Sequence, residues 1–243
     1  MKARYSYEVM PQDVDGSRQI RLYTLENYLL NVAGRDADAS GFGIRQLLPY
    51  GYTWIITRLN LEMTCLPTHN EILDIETWVE QNAHMLSLRN FRIYRGGTLI
   101  GQAKSVWAVL DLKKREIVQA FDLPVFGPSS VDGEILSLSK PMRIGNMTAP
   151  NGIVRHTIRY SDIDYNGHCN SCKYLEIMLN AKMPDVHNFP IRLDINYMKE
   201  VHLNDVIETH FLKDSQGIQY QQKDISGTTC CSARIARIEQ LSR

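Results

Sequence analysis

The feature that most constrains this chain is that it repeats itself. Residues 55–78 (IITRLNLEMTCLPTHNEILDIETW) match 189–212 (FPIRLDINYMKEVHLNDVIETHFL). Arg58 falls on Arg192, Leu59 on Leu193, Glu71 on Asp205 and Ile72 on Val206, all at one offset of 134 residues. Upstream, Asp13-Val14-Asp15 answers Asp162-Ile163-Asp164 at an offset of 149, and Leu25-Glu26 answers Leu175-Glu176 at 150. A looser match relates AKSVWAVLD (103–111) to SARIARIEQ (232–240). Three matches in the same order favour a duplication, and a duplicated chain must build one unit twice.

Each half spells out the same unit. A short extended run (4–10, then 153–160) leads into a turn rich in Asp with Gly or Asn. A helix follows, with Leu22, Leu25, Leu29 and Val32 on one stripe in the first half and Leu175, Met178 and Leu179 in the second. Spacings of three and four put those side chains on one helix face, which reads as core. Four β-rich runs come next, at 53–66, 72–82, 85–95 and 98–111, answered by 190–200, 205–213, 217–225 and 228–239. They are rich in Val, Ile, Thr, Tyr and Trp, and Gly96-Gly97 and Ser215-Gln216-Gly217 mark hairpin turns. The class is therefore α+β, with a strand, a helix and an antiparallel sheet made twice. A sheet of that kind wraps the helix and buries its stripe, and joining two units edge to edge removes an exposed strand edge. A ligand tunnel is expected at such a seam, beside the helices. The segment 119–152 holds Pro124, Pro128, Pro141 and Pro150 with four glycines and reads as a connection. The expected division is a first domain over 1–125, a linker over 126–152 and a second domain over 153–243.

Composition narrows the function classes. Lys plus Arg and Asp plus Glu are both 27, so the chain lacks the basic excess of a nucleic-acid binder. No apolar run approaches the roughly 18 residues of a membrane span, and MKARYSYEVM lacks a secretory apolar stretch. Five cysteines, two of them adjacent, make a poor disulfide framework, so a reduced, cytoplasmic protein is expected.

The densest polar cluster is RYSDIDYNGHCNSCKY (159–174), at the entry to the second helix. Asp164, Asn166 and His168 alternate, so in an extended or looping segment they share one side of the chain. They offer a carboxylate, an amide and an imidazole that titrates near neutrality, beside helix N–H donors that can hold an oxyanion. A capped turn would use the same Asp and Asn to satisfy backbone donors. The duplication weighs against a purely structural reading. At the 149 offset the first half has Asp15, Ser17 and Gln19, so it keeps the carboxylate and lacks the amide and imidazole. Cys169 and Cys172 have the spacing of a redox or zinc motif but no second pair nearby, and small buried thiols are the simpler reading. Trp54, Trp78 and Trp107 suit either an acyl tunnel or a strand core.

The sequence resembles the acyl-acyl carrier protein thioesterases of plant plastids and some bacteria. The likeness is carried by SYEV (6–9), WIITRLNLEM (54–63), DIETWV (74–79), AKSVWAVLD (103–111) and, most specifically, DIDYNGHCNSCKYLE (162–176). It implies a tandem double hotdog that hydrolyses acyl-acyl carrier protein thioesters to free fatty acids. Residue by residue, it assigns catalytic roles to Asp164, Asn166, His168 and Glu200. Where the family often has a Cys after that Glu, this chain has Val201, so a covalent route through that position is excluded and water must attack directly. His168, Asp164 or Glu200 would then polarise the water, an assistance of roughly 10²–10⁴-fold. The resemblance implies no bound cofactor or metal, since the substrate arrives on the carrier's phosphopantetheine arm. Arg155, Arg159, Lys173, Lys182, Arg192 and Lys199 are candidates for meeting an acidic carrier. An acyl-coenzyme A thioesterase of the same fold, a hotdog dehydratase and a non-catalytic acyl-thioester binding module are the alternatives. Monomer and homodimer both stay open.

Overall fold

The computed structural model describes residues 2–127, 130–184 and 190–238; Pro128, Phe189 and the ends of the expected segments at 239 and 240 lie outside them. The chain forms two compact units, one of Met1–Leu61 with Cys65–Pro141, the other of Glu62–Thr64 with Met142–Arg243.

In the first unit, strand β1 (Ala3–Glu8) runs through a 3-10 turn into helix α1 (Leu22–Ala39). A short helix α2 (Ile44–Leu47) then precedes β2 (Tyr52–Met63), β3 (Ile72–Ala83), β4 (Leu86–Arg95), β5 (Thr98–Asp111) and β6 (Glu116–Val118). The sheet order is β1-β3-β4-β5-β2, with β6 paired to β5. β1 to β3, β3 to β4 and β4 to β5 are antiparallel, and β4 to β5 is closed by Gly96 and Gly97 in left-handed conformations. The predicted stripe is what α1 buries: Leu22, Leu25, Leu29 and Val32 are all nearly inaccessible. They are held against a sheet that contributes Leu59, Leu61, Ile75, Phe91 and Ile93 to the core.

The second unit repeats the plan. β7 (Gly152–Thr157) is followed by a 3-10 turn, helix α3 (Ser171–Ala181), and β8 (Ile191–Tyr197), β9 (Val206–Lys213), β10 (Gly217–Asp224) and β11 (Thr229–Arg237). The order is β8-β11-β10-β9-β7, and the pairings among these are antiparallel. Leu175, Met178 and Leu179 face inward from α3 as expected. Each unit is thus a helix held by an antiparallel sheet, the arrangement that the repeat predicted and the hotdog that the resemblance implied, and the eight expected β-rich runs appear as strands.

The proline-rich stretch at 126–152 divides between the units at Pro141 and Met142. Part of it packs: Leu136 and Leu138 cluster with the fully buried Trp78, whose Nε1 donates to the Glu134 carbonyl at 2.7 Å. Trp54 packs against Phe121 and Phe126 and donates to the Phe42 carbonyl at 2.9 Å. These two tryptophans therefore serve the packing of the first unit. Among the described residues, no helix is long and apolar enough to cross a membrane.

Candidate active site

The entry to each helix is the same piece of backbone. In the second unit the Asp164 amide donates to the His168 carbonyl at 2.8 Å, Gly167 N to Asp164 O at 3.1 Å, Cys169 N to Val201 O at 2.9 Å and Asn170 N to Asp162 O at 2.8 Å. In the first unit Asp15 N donates to Gln19 O at 2.9 Å, Arg18 N to Asp15 O at 3.0 Å, Ile20 N to Pro67 O at 2.8 Å and Arg21 N to Asp13 O at 2.9 Å. Every bond has its counterpart, at the offset of 149 in the loop and 134 in the strand it meets. The left-handed position of the loop is Gly167 (φ 81°) in one copy and Arg18 (φ 65°) in the other. Glycine takes that conformation without the penalty that a Cβ brings.

Asp164 is used in this framework. Its Oδ1 accepts from Asn166 N at 2.8 Å and His168 N at 3.3 Å, closing the loop on itself. Asp15 does the same for Ser17 N at 2.9 Å and Gln19 N at 3.2 Å. Asn166, at the loop tip, is exposed. His168 is half-buried and turns towards the segment after β8, where its Nε2 lies 3.5 Å from Glu200 Oε2. The structure thus brings together His168 and Glu200, two residues 32 apart in sequence, while Asp164 grips the backbone between itself and His168.

A fourth side chain joins them that the sequence reading missed. His202 makes an isolated antiparallel bridge with His168, and the two imidazoles meet edge to face with centroids 5.0 Å apart. Alternation was the available signal: in an extended segment Glu200 and His202 share a side, and Val201 between them turns into the core at 1% exposure. The equivalent bridge in the first unit joins Gln19 to Thr68. At the three positions occupied by His168, Glu200 and His202, the first unit therefore has Gln19, Leu66 and Thr68 on the same scaffold.

Below the loop, Asp162 anchors the turn. It is buried, its Oδ2 accepts from Arg159 N at 2.8 Å, and His156 Nε2 lies 2.9 Å away. Burial alone would raise this carboxyl, but the Arg159 amide and His156 hold it below the usual range. Helix α3 begins two residues past Cys169, with Asn170 Oδ1 capping Cys172 N at 3.0 Å. Burial pushes the Cys169 thiol up to about 12 and that of Cys230 to about 11, so neither supplies a thiolate near neutrality. Cys172 and Cys231 are buried as well.

The arrangement sets the imidazole of a loop that opens a helix against a carboxylate of the segment after β8, which is equipment for moving a proton. The helix N–H donors expected to hold an oxyanion are spent locally, Cys172 N on Asn170 Oδ1 and Lys173 N on Asn170 O, which leaves the exposed Asn166 amide as the donor on the loop. The profile of the acyl-ACP thioesterase N-terminal domain matches residues 1–122, and that of the C-terminal domain matches 148–239. A chloroplastic palmitoyl-acyl carrier protein thioesterase of Cuphea hookeriana is 23% identical over 237 residues, covering 89% of this chain and 56% of its own. The chain therefore spans little more than half the length of the curated relatives it matches. The crystal structure of an acyl-ACP thioesterase from Bacteroides thetaiotaomicron superposes with a TM-score of 0.85 at 29% identity, over 97% of each chain. The 12:0-ACP thioesterase of Umbellularia californica has the same fold, with a TM-score of 0.77 at 17% identity over 97% of this chain and 96% of that one.

Proposed function

We propose that this chain, which belongs to the acyl-ACP thioesterase family, hydrolyses acyl-acyl carrier protein thioesters and releases free fatty acids. The observation that carries the reading is the contrast within the duplication. One helix-entry loop is built twice with matching hydrogen bonds, and only the second copy is furnished with His168 and Glu200. The second domain, 153–243, is the catalytic one in this reading, with 126–152 as the connection to 1–125.

His168 is the general base. It takes a proton from the attacking water, and Glu200, 3.5 Å from its Nε2, orients the ring and offsets the charge of the imidazolium. Water adds to the thioester carbonyl, the carbon–sulfur bond breaks, and the proton passes to the departing phosphopantetheine sulfur. The oxyanion is met by the exposed Asn166 side-chain amide. Asp164 holds the loop that presents His168 and Asn166. No nucleophilic side chain is required, in keeping with the buried Val201.

The carrier is acidic as a class, and the candidate cations differ in how free they are to meet it. Arg155 pairs with Glu208, Lys173 with Glu176, Arg192 with Asp194 and Glu62, and Lys199 with Asp224. Arg159 and Lys182 are exposed, and Arg159 lies at the foot of the catalytic loop, which favours it as the carrier contact. The test is the kcat/KM of one acyl chain presented on carrier protein and on coenzyme A, for the wild type and Arg159→Glu. A preference for the carrier that shrinks in the variant supports the reading. Equal or better turnover of the coenzyme A ester, unaffected by Arg159→Glu, would replace it with the acyl-coenzyme A thioesterase.

A further inference from the structure

His168, Glu200 and His202 have a second chemistry available to them. One ligand atom from each, two imidazole nitrogens and a carboxylate oxygen, falls within 4.8 Å of the other two. The His168 Nε2 to Glu200 Oε2 distance of 3.5 Å is close to the separation of two ligands on one tetrahedral ion with metal–ligand bonds of about 2.0–2.2 Å. All three side chains are open to solvent, at 24%, 37% and 57%, so an ion can reach them and shed its water there. The backbone at His202 is fixed from outside the cluster, since Asp205 Oδ2 accepts from the His202 backbone N–H at 2.8 Å. The first unit supplies a comparison, since its scaffold carries Gln19, Leu66 and Thr68 at these positions and offers no such ligand set.

We propose that His168, Glu200 and His202 form a reversible Zn²⁺ site whose occupation inhibits the enzyme. Two imidazoles with one carboxylate favour zinc over magnesium or calcium, which prefer all-oxygen shells. Inhibition follows from the proposed function, on which this half of the inference rests. A His168 nitrogen that donates its lone pair to zinc cannot accept a proton from water, and a Glu200 bound to zinc no longer orients the ring. Nothing is covalently changed, so a chelator restores the free base.

The experiment has a binding arm and a hydrolysis arm. Calorimetric titration of the reduced, metal-free protein with Zn²⁺, and separately with Mg²⁺, is run on the wild type, His202→Gln and His168→Gln, with circular dichroism confirming each fold. Fatty-acid release from acyl carrier protein is then measured directly, with and without Zn²⁺ and after EDTA, each protein against its own metal-free rate. The expected result is one Zn²⁺ per chain, weakened by more than about 100-fold in His202→Gln, with Mg²⁺ not bound. Wild-type release falls at least about 10-fold with zinc and returns on chelation, while the His202→Gln ratio stays near one. Zinc binding unchanged in both variants would overturn the site. Binding that leaves wild-type release unaltered, or release that requires zinc, would overturn the inhibition. Binding as expected in a protein that releases no fatty acid under any condition would uphold the site and defeat the proposed function instead.

Discussion

Replacing Asp164 separates holding the loop from performing the chemistry. In Asp164→Ala the Asn166 and His168 amides lose their shared acceptor, one at 2.8 Å and one at a long 3.3 Å. Hydrogen bonds to a charged acceptor contribute about 1.5–3 kcal/mol when well buried; here the residue is half-buried and one bond is long, so a loss of about 1–2 kcal/mol is expected, as for a helix cap. That corresponds to a fall in Tm of roughly 2–8 °C for a chain of this size. Asp15→Ala should lose at least as much, because Asp15 makes the same pair of bonds and also accepts from Ser17 Oγ at 2.6 Å. The two alanine variants should differ in activity. With its carboxylate gone the loop lets His168 drift, and a misplacement of about 1 Å costs up to about 10²-fold in kcat/KM. Asp15→Ala leaves the second unit's loop alone and should turn over within about 3-fold of wild type. The deciding variant is Asp164→Asn, which keeps an oxygen acceptor and removes the charge. It should retain kcat/KM within about 10-fold, with the pH profile of the wild type, when thioester cleavage and thermal unfolding are followed side by side. A loss beyond about 10²-fold in Asp164→Asn with an unchanged Tm, and with the acidic limb of the profile displaced, would make Asp164 the base and refute the assignment to His168.

Three further outcomes follow from the packing. Asp36 and Arg89 form an ion pair at 2.5 Å with side chains only 7% and 4% exposed, so Asp36→Ala should destabilise the first unit by about 3–5 kcal/mol in denaturant titration, and Asp36→Leu with Arg89→Met should recover most of it. A single-variant cost below about 1 kcal/mol would mean the pair is not buried in solution. Because the folded-state pKa of Asp162 lies below its ordinary 3.8, its contribution to stability is present above 3.8 and is lost as the pH falls through and below that value. Asp162→Asn should therefore flatten the acid limb of the stability profile, and an unchanged limb would count against the Arg159 and His156 contacts. Alkylation of the native protein at pH 8 should label Cys65 far ahead of the four buried cysteines, whereas denaturant should expose all five; rapid native labelling of Cys169 would contradict its burial.

The helices and most strands were legible because their signal is periodic. Leu22, Leu25, Leu29 and Val32 repeat with the helix and are buried along it, and the β-branched runs ended close to where the strands end. Helix α2, four residues long, and β6, three residues long, are too short to show a period and went unread. The duplication was legible for a different reason, since Asp15 and Asp164 occupy one loop geometry that survives low identity. The same likeness hid what Asp164 does, because sequence spacing cannot tell a carboxylate that binds backbone amides from one that faces substrate. His202 and the Asp36–Arg89 pair were missed because their partners are distant in sequence, at 34 and 53 residues, and only the tertiary register of loop on strand and helix on sheet brings them together.

The central claim, that one copy of the duplicated loop carries the reaction, is tested most directly by fatty-acid release from palmitoyl-acyl carrier protein in three proteins: wild type, His168→Gln and Gln19→Ala. Glutamine is the residue that the first unit already carries at this place, so the scaffold accommodates it. The account predicts that His168→Gln loses at least about 10²-fold in kcat/KM with its Tm preserved, while Gln19→Ala stays within about 3-fold of wild type. Equal losses in the two variants, or turnover by His168→Gln at the wild-type rate, would contradict it.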